Sequence, residues 1–375
     1  MDVISPGIRP GSDTAHLAIF GYDPYKYYPG RGPFEALGAG LTLNPPGDVA
    51  FRTNVATVNS DLIVIDRRGG RYIDPAEVRE IENIINNEVL PVLRSKYGID
   101  AVYKQTVEHR GGVLVLRGNV SPHITDTDPH VIGARVSEAK ALSDDAKVTA
   151  NYINEFTKLV YEKLSKAEFN EKRRREGKGP INMVLLRGGA GSLKNFEPLS
   201  LKYRIRPAII AGVALIRGGI GRALGMDAIN VDNYIGSKDD DFIAAFQAAA
   251  RALSNYDFVF VHVKPTDSMS HDGDARGKAM IIERVDAGIR RFLEETPSDT
   301  YVFITCDHAT PITVKEHTGD PVPFMAWGGP DVMRDDVTQF SERACAKGFW
   351  SRIRGGIDVM NIIANYLGTL EKFGE

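Results

Sequence analysis

Five side chains able to hold a divalent cation fall in three short stretches of the last third of the chain. KPTDSMSHDGD carries Asp267 and His271, ITCDHATP carries Asp307 and His308, and KEHTGDPVP carries His317. Asp267 and Asp307 each follow an apolar run, and the carboxyl ends of strands are where an open α/β sheet presents ligands. Imidazole and carboxylate together suit one or two ions of the Mn, Zn or Fe kind more than Ca. The chain has 8 histidines, and three of them sit in these acidic loops. Ser12, in GSDTAH, supplies a possible reagent. Metal coordination can make its alkoxide available, and the amides of a helix N-terminus can receive a phosphoryl oxygen. Taken alone, the histidines also read as structural hydrogen-bonders and GSDTAH as an ordinary capped helix.

Candidate substrate contacts are His16, Arg52, Asp66, Arg67, Arg68, His109, Arg110, Asp128, His130, Arg187 and Lys202 or Arg204. Arginine forks match phosphate and carboxylate alike, so several of them can hold a small acidic phosphoester. Arg67 and Arg187 stand out because both flank predicted strand ends and glycine-rich turns. RGGAG lacks the lysine and hydroxyl residue that close a nucleotide P-loop, and IRGGIGRALG is a weak dinucleotide fingerprint, which argues against ATP or NAD chemistry.

Composition restricts the partners. Lys plus Arg number 46 against 49 Asp plus Glu, a net charge of -3. No global positive field advertises nucleic acid or an anionic membrane. The two cysteines, Cys306 and Cys345, are too few for a disulfide scaffold and read as free thiols of a reducing compartment. No apolar run approaches the roughly eighteen residues of a membrane span, and the opening MDVISPGIRPGS does not resemble a signal peptide. A cytoplasmic location is the expectation.

The surrounding pattern is α/β. Ser12 and Asp13 are expected to cap a helix over 14–19, and PFEALGAG to form a short helix with glycine exits. VAFRTNVATV and DLIVIDRRGGRY read as strands, followed by a helix from Asp74 to Gly98 and the short strands AVYKQTVEH and GGVLVLRG. A long amphipathic segment over 147–172 ends in the basic surface turn NEKRRREGKGP. INMVLLRGGAG then reads as a strand, RPAIIAGVALIRGGIGRALGM as a strand and helix, and DDFIAAFQAAARAL and ARGKAMIIERVDAGIRRFLEE as helices. YDFVFVHV, YVFITCD and PVPFMAW read as strands, and a helix around DVMNIIANYLGTL closes the chain. This succession favours a sheet with helices on both faces, into which a mixed α+β segment is inserted.

GSDTAHLAIFGYDP, GRGPFEALGAG, KPTDSMSHDGD, CDHATP and HTGDPVP, in that order along essentially the whole chain, resemble the cofactor-independent phosphoglycerate mutases of archaeal type, within the alkaline phosphatase superfamily. The resemblance implies an alkaline-phosphatase-like core sheet flanked by helices, with residues 1–70 and 196–375 forming the core and 71–195 an inserted substrate-binding domain. It implies a metal-dependent isomerase that interconverts 2-phosphoglycerate and 3-phosphoglycerate in glycolysis and gluconeogenesis through a phosphoserine. Two divalent ions are implied, Mn first, with Zn, Co, Fe or Mg as alternatives. By the same resemblance Ser12 becomes phosphoserine and shares one metal with Asp307 and His308, while Asp267, His271 and His317 hold the second. His109 and Arg110 resemble the transferase-side contacts, and Asp66, Arg67 and Arg187 are further substrate-side candidates, Arg67 and Arg187 being expected with Ser12 among the catalytic residues; His16 stays a substrate-side candidate on its residue type. The same chemistry becomes a phosphomonoesterase if water reaches the phosphoserine, and a sugar-phosphate mutase with another substrate.

The pattern departs from the family at its start. Members begin with an apolar strand ending in an Asp-Gly metal motif well before the serine motif, whereas this sequence opens just upstream of Ser12. Asp2 and Asp13 follow no apolar strand that would place them in the site. The expectation for the literal chain is an incomplete first part of the core, weak metal occupancy beside Ser12 and impaired catalysis, in the extreme an inactive metal-binding protein.

Overall fold

The computed structural model describes every residue except 45–46, 71–72, 107–110, 194, 330, 373 and 375. The chain forms two compact units, Pro29–Lys194 and the pair of segments Met1–Tyr28 and Asn195–Glu375. The inserted unit thus begins at Pro29, about forty residues before the boundary expected near residue 70. The reason lies in the strand over Val49–Val58, all ten of whose residues are buried. It is the centre of the inserted sheet, so it cannot belong to the other unit.

The sheet of the inserted unit is antiparallel throughout. Its strands are β1 (Val49–Val58), β2 (Val64–Asp66), β3 (Asp100–Thr106), β4 (Gly111–Arg117) and β5 (Met183–Ala190). β1 pairs with β2, β4 and β5, and β3 pairs with β4. The period of two along β1 sends Val49, Phe51 and Val55 into the main core with Ile81, Leu93, Leu114 and Phe156. Ala50 on the other face meets Ala36, Val113 and Val115.

Two helices expected to be continuous are interrupted. The stretch from Pro75 runs as α-helix to Ile84, widens into a π-helical turn over Ile85–Val89, and resumes over Leu90–Tyr97. Pro91 accounts for the widened turn, since it lacks an N–H and its ring clashes with the carbonyl of the preceding turn. The long segment breaks into Lys147–Leu164 and Glu168–Arg175 because buried Asn170 draws the Leu164 carbonyl to its Nδ2 at 2.7 Å and the Ile181 carbonyl at 2.9 Å.

In the other unit, β6 (Pro207–Ala211), β7 (Asp227–Ala228) and β8 (Phe258–His262) form a parallel sheet in the order β7-β6-β8. β9 (Tyr301–Thr305) and β10 (Phe324–Gly328) form a separate antiparallel pair. The single continuous sheet read from the succession of strands is therefore two hydrogen-bonded pieces among the described residues. The helices Phe242–Ala252 and Ala275–Glu295 pack together and cover β6 and β8 through Ile210, Phe242, Ala245, Ala249 and Ile281. The architecture as a whole is mixed α/β with flanking helices. No described helix is long and apolar enough to cross a membrane.

Candidate active site and metal centre

The helix carrying Ser12 runs Ser12–Ile19, two residues earlier than its expected start. Its N-cap is Gly11 rather than Ser12 or Asp13. Thr14 Oγ1 closes the first turn, accepting from the Gly11 amide and donating to the Gly11 carbonyl, both at 3.1 Å. Ser12 is therefore the first helical residue, with no capping duty, and its hydroxyl lies 3.3 Å from His308 Nε2.

KPTDSMSHDGD, expected as a loop, is a helix over Pro265–Asp272. Pro265 suits its first turn, and Gly273 ends it at φ 74°, a left-handed conformation that glycine adopts without strain. Asp267 and His271 are consequently one turn apart on one face, with Asp267 Oδ1 to His271 Nε2 at 3.3 Å. His317 Nε2 approaches the same oxygen at 3.5 Å. The HTGD turn brings it there: a Cβ on Gly319 would sit 2.4 Å from the Gly7 carbonyl carbon, so only glycine lets the N-terminal segment pass and offer the Pro10 carbonyl to His317 Nδ1 at 2.8 Å.

The hydrogen bonds fix which nitrogen of each ring would carry the lone pair once the ring is neutral. His271 Nδ1 and His317 Nδ1 face the carbonyls of Lys315 and Pro10, both at 2.8 Å, and must donate to them. Thr310 spends its hydroxyl proton on Asp267 Oδ1 at 3.1 Å, so His308 Nδ1, 2.9 Å from Thr310 Oγ1, is the donor there. In all three rings Nε2 is left facing inward, toward Asp267 or Ser12. Metal-binding histidines show this arrangement, with the outer N–H tied to a carbonyl or other acceptor. One ligand atom each from Asp267, His308 and His317 lies within 4.8 Å of the others, as does one each from His271, Glu316 and His317, and one each from His16, His262 and Asp307. These His and Asp clusters are able to coordinate metal ions.

Electrostatics agree with the geometry. Burial would raise the Asp267 carboxyl, but hydrogen bonds from His271 and His317 and the Lys264 ammonium hold it far below the usual carboxylate range. Its hydrogen bond raises His271, and raises His317 against the opposing effect of burial. Asp307 is likewise held low against burial, by His308 and then His16 and His262. His262 is pushed down to about 3 by burial and by neighbouring His16, so it is a neutral imidazole.

The remaining candidates divide. His16, expected on the substrate side, is buried beneath its own helix, its Nδ1 2.5 Å from the Ser12 carbonyl and its ring against Phe20 and Phe260. Asp66 closes a turn, accepting from the amides of Arg68 and Gly70 at 2.7 Å each. Arg52 pairs with buried Glu35 at 2.6 Å. Arg67 grips Asp128 with two nitrogens, Nε at 3.1 Å and Nη2 at 2.7 Å. Arg187 lies close by in the same unit, half-buried, with its buried Nε unpartnered among the described residues. Burial and the charges of Arg31 and Arg67, opposed by Asp128, lower its pKa. The two arginines thus sit together in a cationic cluster of the inserted unit. His109 and Arg110 lie outside the described residues. Sequence reasoning missed Thr310 and His262. The same strand-end rule that selected Asp267 would have selected His262, the last residue of β8.

The family profile of 2,3-bisphosphoglycerate-independent phosphoglycerate mutase matches residues 1–170. A mutase of that description from Pyrobaculum islandicum is 55% identical over 377 residues, covering 100% of this chain and 90% of its own. The chain belongs to the 2,3-bisphosphoglycerate-independent phosphoglycerate mutase family. Another relative of the family, mutase 1 of Methanocaldococcus jannaschii, is 44% identical over 378 residues, with 100% and 89% covered. Among solved structures, a Pyrococcus horikoshii protein is similar at a TM-score of 0.78 and 34% identity, with 100% of this chain and 88% of that one covered. The cofactor-independent phosphoglycerate mutase of Thermoplasma acidophilum is similar at 0.58 and 29%, with 97% and 89% covered. The motif order read from the sequence and the family found by comparison agree.

Proposed function

We propose that the chain interconverts 2-phosphoglycerate and 3-phosphoglycerate by way of a phosphoserine at Ser12. The observation that carries the reading is the convergence of the Ser12 hydroxyl with inward-facing imidazole nitrogens and two half-buried carboxylates in a member of this family. Ser12 Oγ forms a bond to the phosphorus of one phosphoglycerate while the bond from phosphorus to the substrate oxygen breaks. The released glycerate turns, its other hydroxyl attacks the phosphoserine, and Ser12 is restored. No water is consumed, so the net reaction is an isomerisation.

Asp307 and His308 are the ligands assigned to the cation beside Ser12, and Asp267, His271 and His317 to a second. Two divalent ions there, Mn first with Zn, Co, Fe or Mg as alternatives, would lower the pKa of the serine hydroxyl and offset phosphoryl charge. Thr310 ties up His308 Nδ1, so Nε2, 3.3 Å from the Ser12 hydroxyl, is the nitrogen that would bind the cation and place it beside the nucleophile. Arg67 and Arg187 are assigned to the phosphate or carboxylate of the substrate, a role that suits guanidinium forks.

The test supplies the protein with Mn and 3-phosphoglycerate and follows 2-phosphoglycerate and inorganic phosphate together. Equilibration of the two esters without phosphate release supports the reading. Accumulation of phosphate and glycerate alone would assign a phosphomonoesterase instead.

A further inference from the structure

We infer that His262 and His16 join Asp307 in holding a divalent cation beneath the Ser12–Ile19 helix. The inference rests on the two-cation reading above and adds two nitrogen ligands on its Asp307 side. One ligand atom from each of the three lies within 4.8 Å of the other two.

Three observations point to a cation here. The first is the orphaned Nδ1 of His262. The residue is only 9% exposed, its carbonyl accepts from the Tyr234 hydroxyl at 2.8 Å, and its ring lies edge-on to His16 with centroids 5.1 Å apart. Nδ1 itself has no hydrogen-bond partner among the described residues. A buried polar atom left so is costly, and a metal ion satisfies an imidazole lone pair where no donor is at hand.

The second is the orientation of His16. Its Nδ1 donates to the Ser12 carbonyl at 2.5 Å and is also the nitrogen 3.8 Å from Asp307 Oδ2, which leaves Nε2 as the lone-pair nitrogen of the neutral ring. This is the carbonyl-tied geometry of a metal-binding histidine. The third is the company of Asp307. Its ion-pair contacts among the described residues are imidazoles alone, His308 at 3.2 Å and His16 at 3.8 Å. Asp267, by contrast, has the Lys264 ammonium as well. Asp307 is half-buried, and a carboxylate there without a fixed positive partner gains from the charge that a cation supplies.

Two imidazoles and one carboxylate suit Zn, Mn, Co or Fe(II) better than Mg or Ca. His16 also ties such an ion to the backbone of the nucleophile, because the ring that binds it holds the carbonyl of Ser12. The ion would therefore position the serine as well as act on the substrate.

The test is cobalt and manganese titration of the full chain, read by calorimetry and by the visible bands of bound Co. Comparison proteins are His262→Gln, Asp267→Asn and Tyr234→Phe, the last removing the contact to His262 without touching its ring. His262→Gln should lose one ion, or weaken its binding by at least about tenfold, and shift the Co bands. Asp267→Asn should lose a different ion and keep the His262-dependent band, and Tyr234→Phe should keep both. A folded His262→Gln with unchanged stoichiometry, affinity and bands overturns the inference while leaving the two-cation reading intact. An unsubstituted protein that binds no ion overturns both. If His262→Gln does not fold, ring-nitrogen NMR of the unsubstituted chain decides. Zinc must then shift the nitrogens of His262 and His16, and nitrogens that stay in place on saturation overturn the inference.

Discussion

His308 and His317 stack face to face, ring centroids 3.5 Å apart and planes inclined by 19°. Two positive charges would repel at that separation. Each ring ties its Nδ1 outward, His308 to Thr310 and His317 to Pro10. That leaves the Nε2 atoms of both rings on the inner face, where a cation would bind. Mn should accordingly raise the melting temperature, by the equivalent of about 2.7 kcal/mol at a hundredfold excess over Kd, and chelator should reverse the rise. Thermal scans of the chain and of Asp267→Asn check this. An equal response in both would remove Asp267 from the cation site.

Ser12→Ala separates chemistry from stability. Gly11 and Thr14 close the helix, so the serine hydroxyl can be deleted with a stability change within about 0.5 kcal/mol. Mutase turnover should nevertheless fall by roughly a thousandfold or more, as for removal of a covalent nucleophile. Thr14→Val should do the reverse, costing about 1 kcal/mol through the lost turn-closing bonds while phosphoserine formation survives. Acid-quench labelling from phosphorylated substrate, together with urea unfolding, reads both quantities.

How much of this was legible in the sequence follows from range. Asp267, Asp307, His308 and His317 were found because they stand directly after apolar strands or in short polar motifs, a local signal. The helical state of Pro265–Asp272 was hidden because PTDSMSHD has little apolar periodicity. The start of the inserted unit at Pro29 was hidden because β1 looks like any apolar strand, and only its three partners, β2, β4 and β5, make it central. His16 could not be placed from its motif, since its burial depends on Phe260 and His262, more than two hundred residues away.

The Arg67 to Asp128 pair should be visible as an acid-dependent stability. Burial alone would raise the Asp128 carboxyl, but the Arg67 hydrogen bond, the His130 amide and the charges of Arg67 and Arg187 bring it below its ordinary 3.8. A depressed carboxylate contributes stability above its unfolded pKa and loses it as pH falls through the folded one. Asp128→Asn should thus be less stable than the unsubstituted chain near pH 7, by about 2 kcal/mol, with the gap closing below pH 4. Urea unfolding across that range checks it. A gap that widens in acid would reverse the sign.

Arg187 offers the sharpest separation of binding from folding. Its half-buried guanidinium lies near the like charges of Arg31 and Arg67, its buried Nε is unpartnered among the described residues, and desolvation together with those charges lowers its pKa. Such a group weakens the unliganded protein and repays that cost only when an anion arrives. Arg187→Met keeps the aliphatic volume and removes the charge, so it should leave the melting temperature unchanged or higher. The same variant should raise KM for 3-phosphoglycerate by about tenfold or more, since a charged hydrogen-bond partner of the substrate is gone. Arg187→Lys restores charge without the fork and should recover only part of that loss. A melting temperature several degrees lower with KM unchanged would instead make Arg187 a structural residue of β5, and the anion site would have to be sought elsewhere in the inserted unit.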